Sequence, residues 1–162
     1  MQLFLKNLLF TICIPGTVAV YIPLYITRGR SITSYPVLLS IGIGLLSAGA
    51  AIYLRTIWDF ATAGRGTPLP IDAPKRLVVT GLYRYARNPM YIGVITFILG
   101  WAGVFNDGWL MLYALSVVIA VHLFVVFYEE PKLIQLFGEE YKSYQRSVGR
   151  WVPRIPSNLK DD

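Results

Sequence analysis

The sequence predicts an all-α fold, a polytopic membrane helix bundle of about four transmembrane helices with a cytoplasmic loop and a C-terminal amphipathic helix. Of the 162 residues, 55% are hydrophobic and only 15% are charged, too few charges to cover the surface of a soluble domain. Four apolar segments also approach or exceed the roughly 20 residues that a helix needs to cross a bilayer. We therefore expect one membrane domain over residues 1–162, with N-terminal helices in 1–57 and the site-bearing part in 58–162.

The first two apolar segments cover residues 8–26 and 37–57. The first continues past signal-peptide length without a clear cleavage pattern of small residues, so we expect a retained span. Pro15 lies at its middle and predicts a kink, or a break that would raise the number of spans to five. The second segment contains three small residues of the kind that let helices approach closely in lipid. These are Gly42, Gly44 and Gly49.

The last two apolar segments cover residues 91–105 and 109–128, with only the tripeptide Asn-Asp-Gly between them. Such a tripeptide is typical of a turn, which predicts a tight antiparallel hairpin of helices. The third segment is shorter than a bilayer requires. Its helix must therefore begin before residue 91, or tilt and lie partly within the protein.

The basic residues predict the orientation of the spans. With four spans, thirteen of the fifteen Lys and Arg residues fall on one side of the membrane, and only Arg28 and Arg30 fall on the other. The positive-inside rule then places both termini and the loop of residues 58–88 in the cytoplasm. This rule and anionic lipid explain the net charge of +6, so we expect no nucleic-acid partner. We expect an integral protein of the bacterial inner membrane whose active site faces the cytoplasm.

Two polar segments border the hairpin of helices. The loop of residues 58–88 is rich in Gly and Pro but too apolar for a disordered linker, so we expect an ordered, functional loop. Residues 129–151 carry apolar and aromatic side chains at a spacing that fits an amphipathic helix along the membrane face, interrupted at Gly138.

Three titratable residues near the end of the fourth segment are candidates for chemistry. Glu129 and Glu130 stand at the predicted membrane boundary and helix end, where carboxylates are costly and need a cation. The simpler alternative is a hydrated helix end paired with Lys132 or Arg146. Helical spacing puts His122 on the face of Glu129, about 10 Å deeper. Its alternative role is a neutral ring hydrogen-bonded to a neighbouring helix, and no cluster of further ligands supports a metal site.

The segment GLYRYARNPMYIG, which begins at Gly81, directly precedes the third apolar run. Gly81 permits a tight turn, Tyr83 supplies a flat amphipathic ring and Arg87 supplies a bidentate donor. Pro89 suits the first turn of a helix and puts Asn88 at the N-cap, which predicts a site for a carboxylate or phosphate. The alternative is membrane anchoring, because Tyr and Arg are common at interfaces. Opposite the acidic pair, this segment predicts a pocket for a ligand that carries both charges.

Two motifs in this order resemble a known group of enzymes. GLYRYARNPMY, a helical hairpin and then EEPKLIQLFGEEYKSYQRSVGRWVPR are similar to isoprenylcysteine carboxyl methyltransferases and related phospholipid methyltransferases, over roughly residues 64–154. The resemblance implies S-adenosyl-L-methionine as cofactor and, as methyl acceptor, a lipid or a small hydrophobic molecule. The implied cofactor contacts, with Arg87 added for its guanidinium group, are Leu77, Val78, Tyr83, Arg87, Asn88, Pro89, Met90, Tyr91 and Glu129.

The chain departs from this family at two positions. Asn88 stands where the family has a histidine before the proline, and Val125 stands where prenylcysteine enzymes carry an arginine for the substrate carboxylate. If the acceptor is an amine, it must lose a proton, and Glu130 or His122 is the candidate base. The candidate contacts for an anionic acceptor head group are Arg146 and Arg150.

Two other functions stay open at this point. Sterol reductases share the C-terminal architecture but bind NADPH, a polyanionic cofactor that the acidic pair Glu129 and Glu130 would repel. A non-enzymatic membrane scaffold would use the same polar groups only as interface anchors.

Overall fold

The computed structural model describes residues 13–60, 62 and 76–153, and over these residues the chain is all-α, as predicted. A short 3-10 turn, Gly81–Arg84, precedes the third helix. The helices are α1 (Thr17–Ile26), α2 (Pro36–Asp59), α3 (Pro89–Phe105), α4 (Gly108–Phe137) and α5 (Glu139–Ser147).

Helices α2 and α4, with 24 and 30 residues, are long and apolar enough to cross a membrane, and α1 and α3 are shorter apolar helices. Only 17% and 22% of the most apolar windows of α2 and α4 are buried inside the protein. Most of their apolar surface therefore faces outward, unlike that of a core helix in a soluble protein. These helices indicate an integral membrane protein, and the number of spans stays a prediction.

Helix α1 shows how the chain continues after Pro15. Its first half, Thr17–Tyr21, is a π turn and its second half, Ile22–Ile26, is an α-helix. This π turn lies just before Pro23, which lacks the N–H group and whose ring would crowd the carbonyl group one turn earlier, so the wider turn lets the helix continue through it. The part of the predicted span before residue 13 lies outside the described residues.

Helices α2 and α3 pack with their backbones in close approach. A Cβ atom added to Gly49 would lie 2.6 Å from the backbone nitrogen of Phe97 and 2.7 Å from the carbonyl oxygen of Gly93. Gly42 meets α3 in the same way, whereas Gly44 has no neighbour within 4 Å. Two of the three predicted glycines therefore form the helix contact, as small residues do in membranes.

The hairpin between α3 and α4 is confirmed. Asn106 adopts a left-handed conformation with φ of 49°, and the Asp107 carboxylate caps α4 by accepting a bond of 3.1 Å from the backbone N–H of Leu110. Asp107 also forms an ion pair with Arg30. The loop that carries Arg30 therefore lies at the same end of the bundle as the hairpin turn, as the predicted orientation requires.

The helix end predicted at Glu129 and Glu130 is wrong. The chain stays helical from Gly108 to Phe137, with a π turn at Val125–Glu129, so Glu129 and Glu130 lie inside a helix and not at its C-terminus. Pro131 explains the π turn, because its ring would otherwise crowd the carbonyl group one turn earlier.

The C-terminal part breaks at Gly138, as predicted, with φ of 54° there. Tyr141, Tyr144 and Val148 on and after α5 are buried, and the partly buried Leu77 packs against them. The apolar side of α5 thus contacts the protein itself. Contact of this segment with the membrane face stays a prediction.

Candidate active site

The candidate site lies at the end of the bundle opposite the Arg30–Asp107 ion pair. There α2 ends, the Gly81–Arg84 turn leads into α3, and the π turn of α4 passes beside both. Two hydrogen bonds connect this region to the acidic pair, one from a residue just before α3 and one from a residue in its first turn. Arg87 Nη1 donates to Glu130 Oε1 over 2.6 Å, and the Tyr91 hydroxyl donates to Glu129 Oε2 over 2.9 Å. The structure therefore brings the two predicted motifs together.

Glu130 is the centre of a buried ion cluster. Besides Arg87, it accepts bonds of 2.8 Å from both Nε and Nη2 of Arg150, and one of 3.3 Å from Gln145. Only 6% of Glu130 is exposed, so its carboxylate needs these hydrogen bonds and positive charges in place of water. Hydrogen bonding to Glu130 in turn raises the pKa of Arg150. Among the described residues, the cations that pair with Glu130 are thus Arg87 and Arg150.

Glu129 has a different environment. It is half-buried, and among the described residues its hydrogen-bond partner is the Tyr91 hydroxyl. No Lys or Arg among those residues forms an ion pair with it. The phenol of Tyr83 lies close enough to feel its charge: burial raises the pKa of Tyr83, and the Glu129 carboxylate adds to that shift.

Asn88 stands at the N-cap of α3, as predicted, but its side chain does not bond to the first turn of the helix. Its amide donates instead to the backbone oxygen of Arg150 over 3.2 Å. The backbone N–H of Arg87 donates to the oxygen of Gly149 over 2.9 Å, and its Nε donates to the oxygen of Val148 over 3.1 Å. These bonds fasten residues 148–151, which we name the C-terminal strap, across the start of α3. Pro89 and Met90, the first two residues of α3, are also buried.

His122 and Arg146 lie away from this cluster. His122 is exposed, and its Nδ1 accepts a bond of 3.2 Å from the indole N–H of Trp151 on the strap. The π turn lies between His122 and Glu129, so the helical count that put both on one face does not hold. Arg146 is exposed on α5, where its charge acts on Glu139. Arg150, the other predicted contact for an anionic head group, binds Glu130 in the cluster instead.

Leu77 and Val78 lie in the loop before the turn. Val78 is buried, and Leu77 packs against the aromatic cluster of α5. The earlier part of that loop, residues 61 and 63–75, lies outside the described residues. Among the residues that are described, no three His, Cys, Asp or Glu side chains come together as metal ligands would.

Asp59 is a site residue that sequence reasoning missed. It is buried at the end of α2, its Oδ2 accepts a bond of 3.0 Å from the backbone N–H of Leu82, and Arg55 lies 3.1 Å from its Oδ1. The sequence contained a signal for Asp59, because a carboxylate that follows a long apolar run is unusual at position 59 as it is at position 129.

Comparison with known proteins decides the family. A family model described as phospholipid methyltransferase matches residues 37–140, well over half of the chain. The chain belongs to the phospholipid methyltransferase family. The match includes nearly all of α2, the Gly81–Arg84 turn, the helical hairpin and the acidic pair, and it ends in the first turn of α5, before the strap.

Individual relatives of this family member carry methyltransferase names. Methanethiol S-methyltransferase 1 of Bradyrhizobium diazoefficiens is 35% identical over 82 residues, which are 49% of this chain and 27% of that protein. Protein-S-isoprenylcysteine O-methyltransferase of Saccharomyces cerevisiae is 32% identical over 123 residues, 70% of this chain and 48% of that protein. The chain thus spans less than half the length of these relatives. No solved structure matches it at a significant level.

Proposed function

We propose that this chain transfers a methyl group from S-adenosylmethionine to a lipid-embedded or small hydrophobic acceptor at the cytoplasmic face of a bacterial inner membrane. Family membership and relatives named as S- and O-methyltransferases support the reaction class. The outward-facing apolar helices support an acceptor that reaches the site from the membrane. The distribution of Lys and Arg along the sequence supports the cytoplasmic orientation.

The observation that carries this proposal is the difference between the two glutamates. Glu130 is saturated by two guanidinium groups, whereas Glu129 receives only the Tyr91 hydroxyl from the described residues. A half-buried carboxylate in such a place calls for a cation. S-adenosylmethionine carries two, an ammonium and a sulfonium, and we assign the ammonium to Glu129.

The remaining groups of the cofactor also find partners among these residues. The rings of Tyr83 and Tyr91 offer faces on which a sulfonium can lie. The N-terminus of α3 has no side-chain cap, so its first free N–H groups can bind the cofactor carboxylate. We had expected Arg87 to bind that carboxylate directly. Its bonds to Glu130 and Val148 instead suit a residue that supports the site.

When bound, the cofactor supplies a methyl group on a positively charged sulfur. The chain's own contribution is to position two reactants and to exclude water. Glu129 binds and orients, and the cluster of Glu130, Arg87 and Arg150 holds the strap over the start of α3. We assign Glu130 this positioning role and not that of a base, because protonation would leave two guanidinium groups without their shared carboxylate.

The acceptor that fits best is a small thiol, or another group that loses its proton without a base from the protein. His122 could take a proton only at Nδ1, and only after releasing the indole of Trp151, so the site is poorly suited to deprotonate an amine. Val125 is fully buried and apolar, which leaves no cation there for a carboxylate. A thiol needs neither partner once it is deprotonated.

Calorimetric titration of the purified protein with S-adenosylhomocysteine, and separately with NADPH, tests this function. We expect binding of S-adenosylhomocysteine alone. Binding of NADPH alone would favour a reductase, and binding of neither would favour a scaffold. Incubation with methyl-labelled cofactor and either a small alkyl thiol or a membrane lipid extract then identifies the acceptor by where the label appears.

A further inference from the structure

The turn Gly81–Arg84, which carries Tyr83, is held from two sides by side chains of distant helices. Asp59 at the end of α2 binds it on one side, and Tyr144 of α5 binds it on the other. Resting on the proposed function, we propose that Asp59 and Tyr144 are positioning residues that hold Tyr83 against the methyl-donor cofactor and so set the affinity for it.

The position of Asp59 is unfavourable for a carboxylate because it is buried. It is 5% exposed near the end of the apolar helix α2, and a buried carboxylate there is costly unless it is paired. Its two oxygens are used by the Leu82 backbone N–H and by Arg55. Gly81 faces the same carboxylate at φ of 58°, and a Cβ atom there would collide with it. The close approach of this backbone to the Asp59 carboxylate therefore requires a residue without a side chain at position 81.

Tyr144 holds the other side of the turn. Its buried hydroxyl donates a bond of 2.6 Å to the backbone oxygen of Tyr83. The ring of Phe60, which directly follows the last residue of α2, lies 6.1 Å from the ring of Tyr83. The backbone and the ring of Tyr83 are thus fixed by residues from α2 and α5, far apart in sequence.

These contacts matter for the site because a four-residue 3-10 turn is weakly stabilised by itself. Tyr83 lies within the electrostatic reach of both Glu129 and Tyr91, the residues assigned to the cofactor cation. A turn released on either side would let the Tyr83 ring leave that position. Cofactor binding should then weaken by more than the loss of folding stability explains.

Tyr144→Phe tests the idea by removing one oxygen atom, and the chain offers a matched control. The Tyr113 hydroxyl donates to the backbone oxygen of Val18 over 2.7 Å, the same chemistry far from the site. We expect Tyr144→Phe to weaken binding of S-adenosylmethionine, which carries the sulfonium, by about fivefold, the equivalent of one net hydrogen bond, and Tyr113→Phe to leave it unchanged. Both should lower the melting temperature of the ligand-free protein by similar amounts.

Asp59 supplies a second, independent pair of variants. Asp59→Asn keeps an oxygen that can accept from Leu82 and should retain most of the affinity, whereas Asp59→Ala should lose about tenfold or more. Equal affinity in Tyr144→Phe and the parent, or equal losses in Tyr144→Phe and Tyr113→Phe, would overturn the positioning role alone. A parent protein that does not bind S-adenosylhomocysteine would instead overturn the proposed function, and this inference with it.

Discussion

Replacing Glu130 by glutamine should destabilise the fold by about 3 kcal/mol, the lower end of the loss expected when a buried ion pair loses one partner. The side chains of Glu130 and Arg87 are 7% and 9% exposed, so solvent cannot replace the lost charge between them. Arg150 is 33% exposed and can recover hydration, which is why we take the lower value. In addition, the glutamine NH2 group would face guanidinium donors where Oε1 or Oε2 now accepts.

Equilibrium unfolding in mixed micelles of dodecyl sulfate, followed by helical circular dichroism, measures this loss. The matched control is Glu139→Gln on α5, which removes an exposed carboxylate paired with Lys142 and should leave stability close to that of the parent. If Glu130→Gln unfolds within about 0.5 kcal/mol of the parent, the buried ion cluster is not a support of the fold and the reasoning fails.

Three further predictions concern other parts of the bundle. Gly49→Val should destabilise the protein by about 1–3 kcal/mol by forcing α2 from α3, whereas Gly44→Val should have no such effect, and equal unfolding curves would contradict the close approach. Asp107→Ala removes a helix cap and the partner of an arginine, so it should cost about 2 kcal/mol in the same unfolding assay, and an unchanged midpoint would refute this role. His122→Ala should leave cofactor binding and turnover in a methyl-transfer assay close to those of the parent, because its ring bonds to Trp151 away from the acidic pair, and a loss of turnover would show that His122 takes part in the reaction.

The sequence was sufficient for the features that local chemistry determines. Apolar length predicted α2 and α3, the Asn-Asp-Gly tripeptide predicted the hairpin, and Gly138 predicted the break before α5. Each depends on residues within a few positions of one another. The sequence also predicted that Arg87 lies close to the acidic pair, because opposite charges at one membrane face compensate each other.

The features that the sequence did not predict depend on long-range contacts or on helix irregularity. Glu129 and Glu130 were read as a helix end, since a charged pair before a proline usually ends an apolar helix, but the π turn lets α4 continue. The same turn invalidates the simple spacing between His122 and Glu129. The strap competes with the expected cap for the side chain of Asn88, and no local pattern reveals a partner 62 residues away.

The central claim is that Glu129 binds a cationic group of the cofactor, and its direct test is the affinity of Glu129→Gln for S-adenosylhomocysteine, which retains the ammonium. Losing a charge-assisted bond of about 1.5–3 kcal/mol predicts a dissociation constant raised about 10- to 100-fold by calorimetry, with Glu139→Gln as the unchanged control. Equal dissociation constants for Glu129→Gln and the parent protein would contradict the claim.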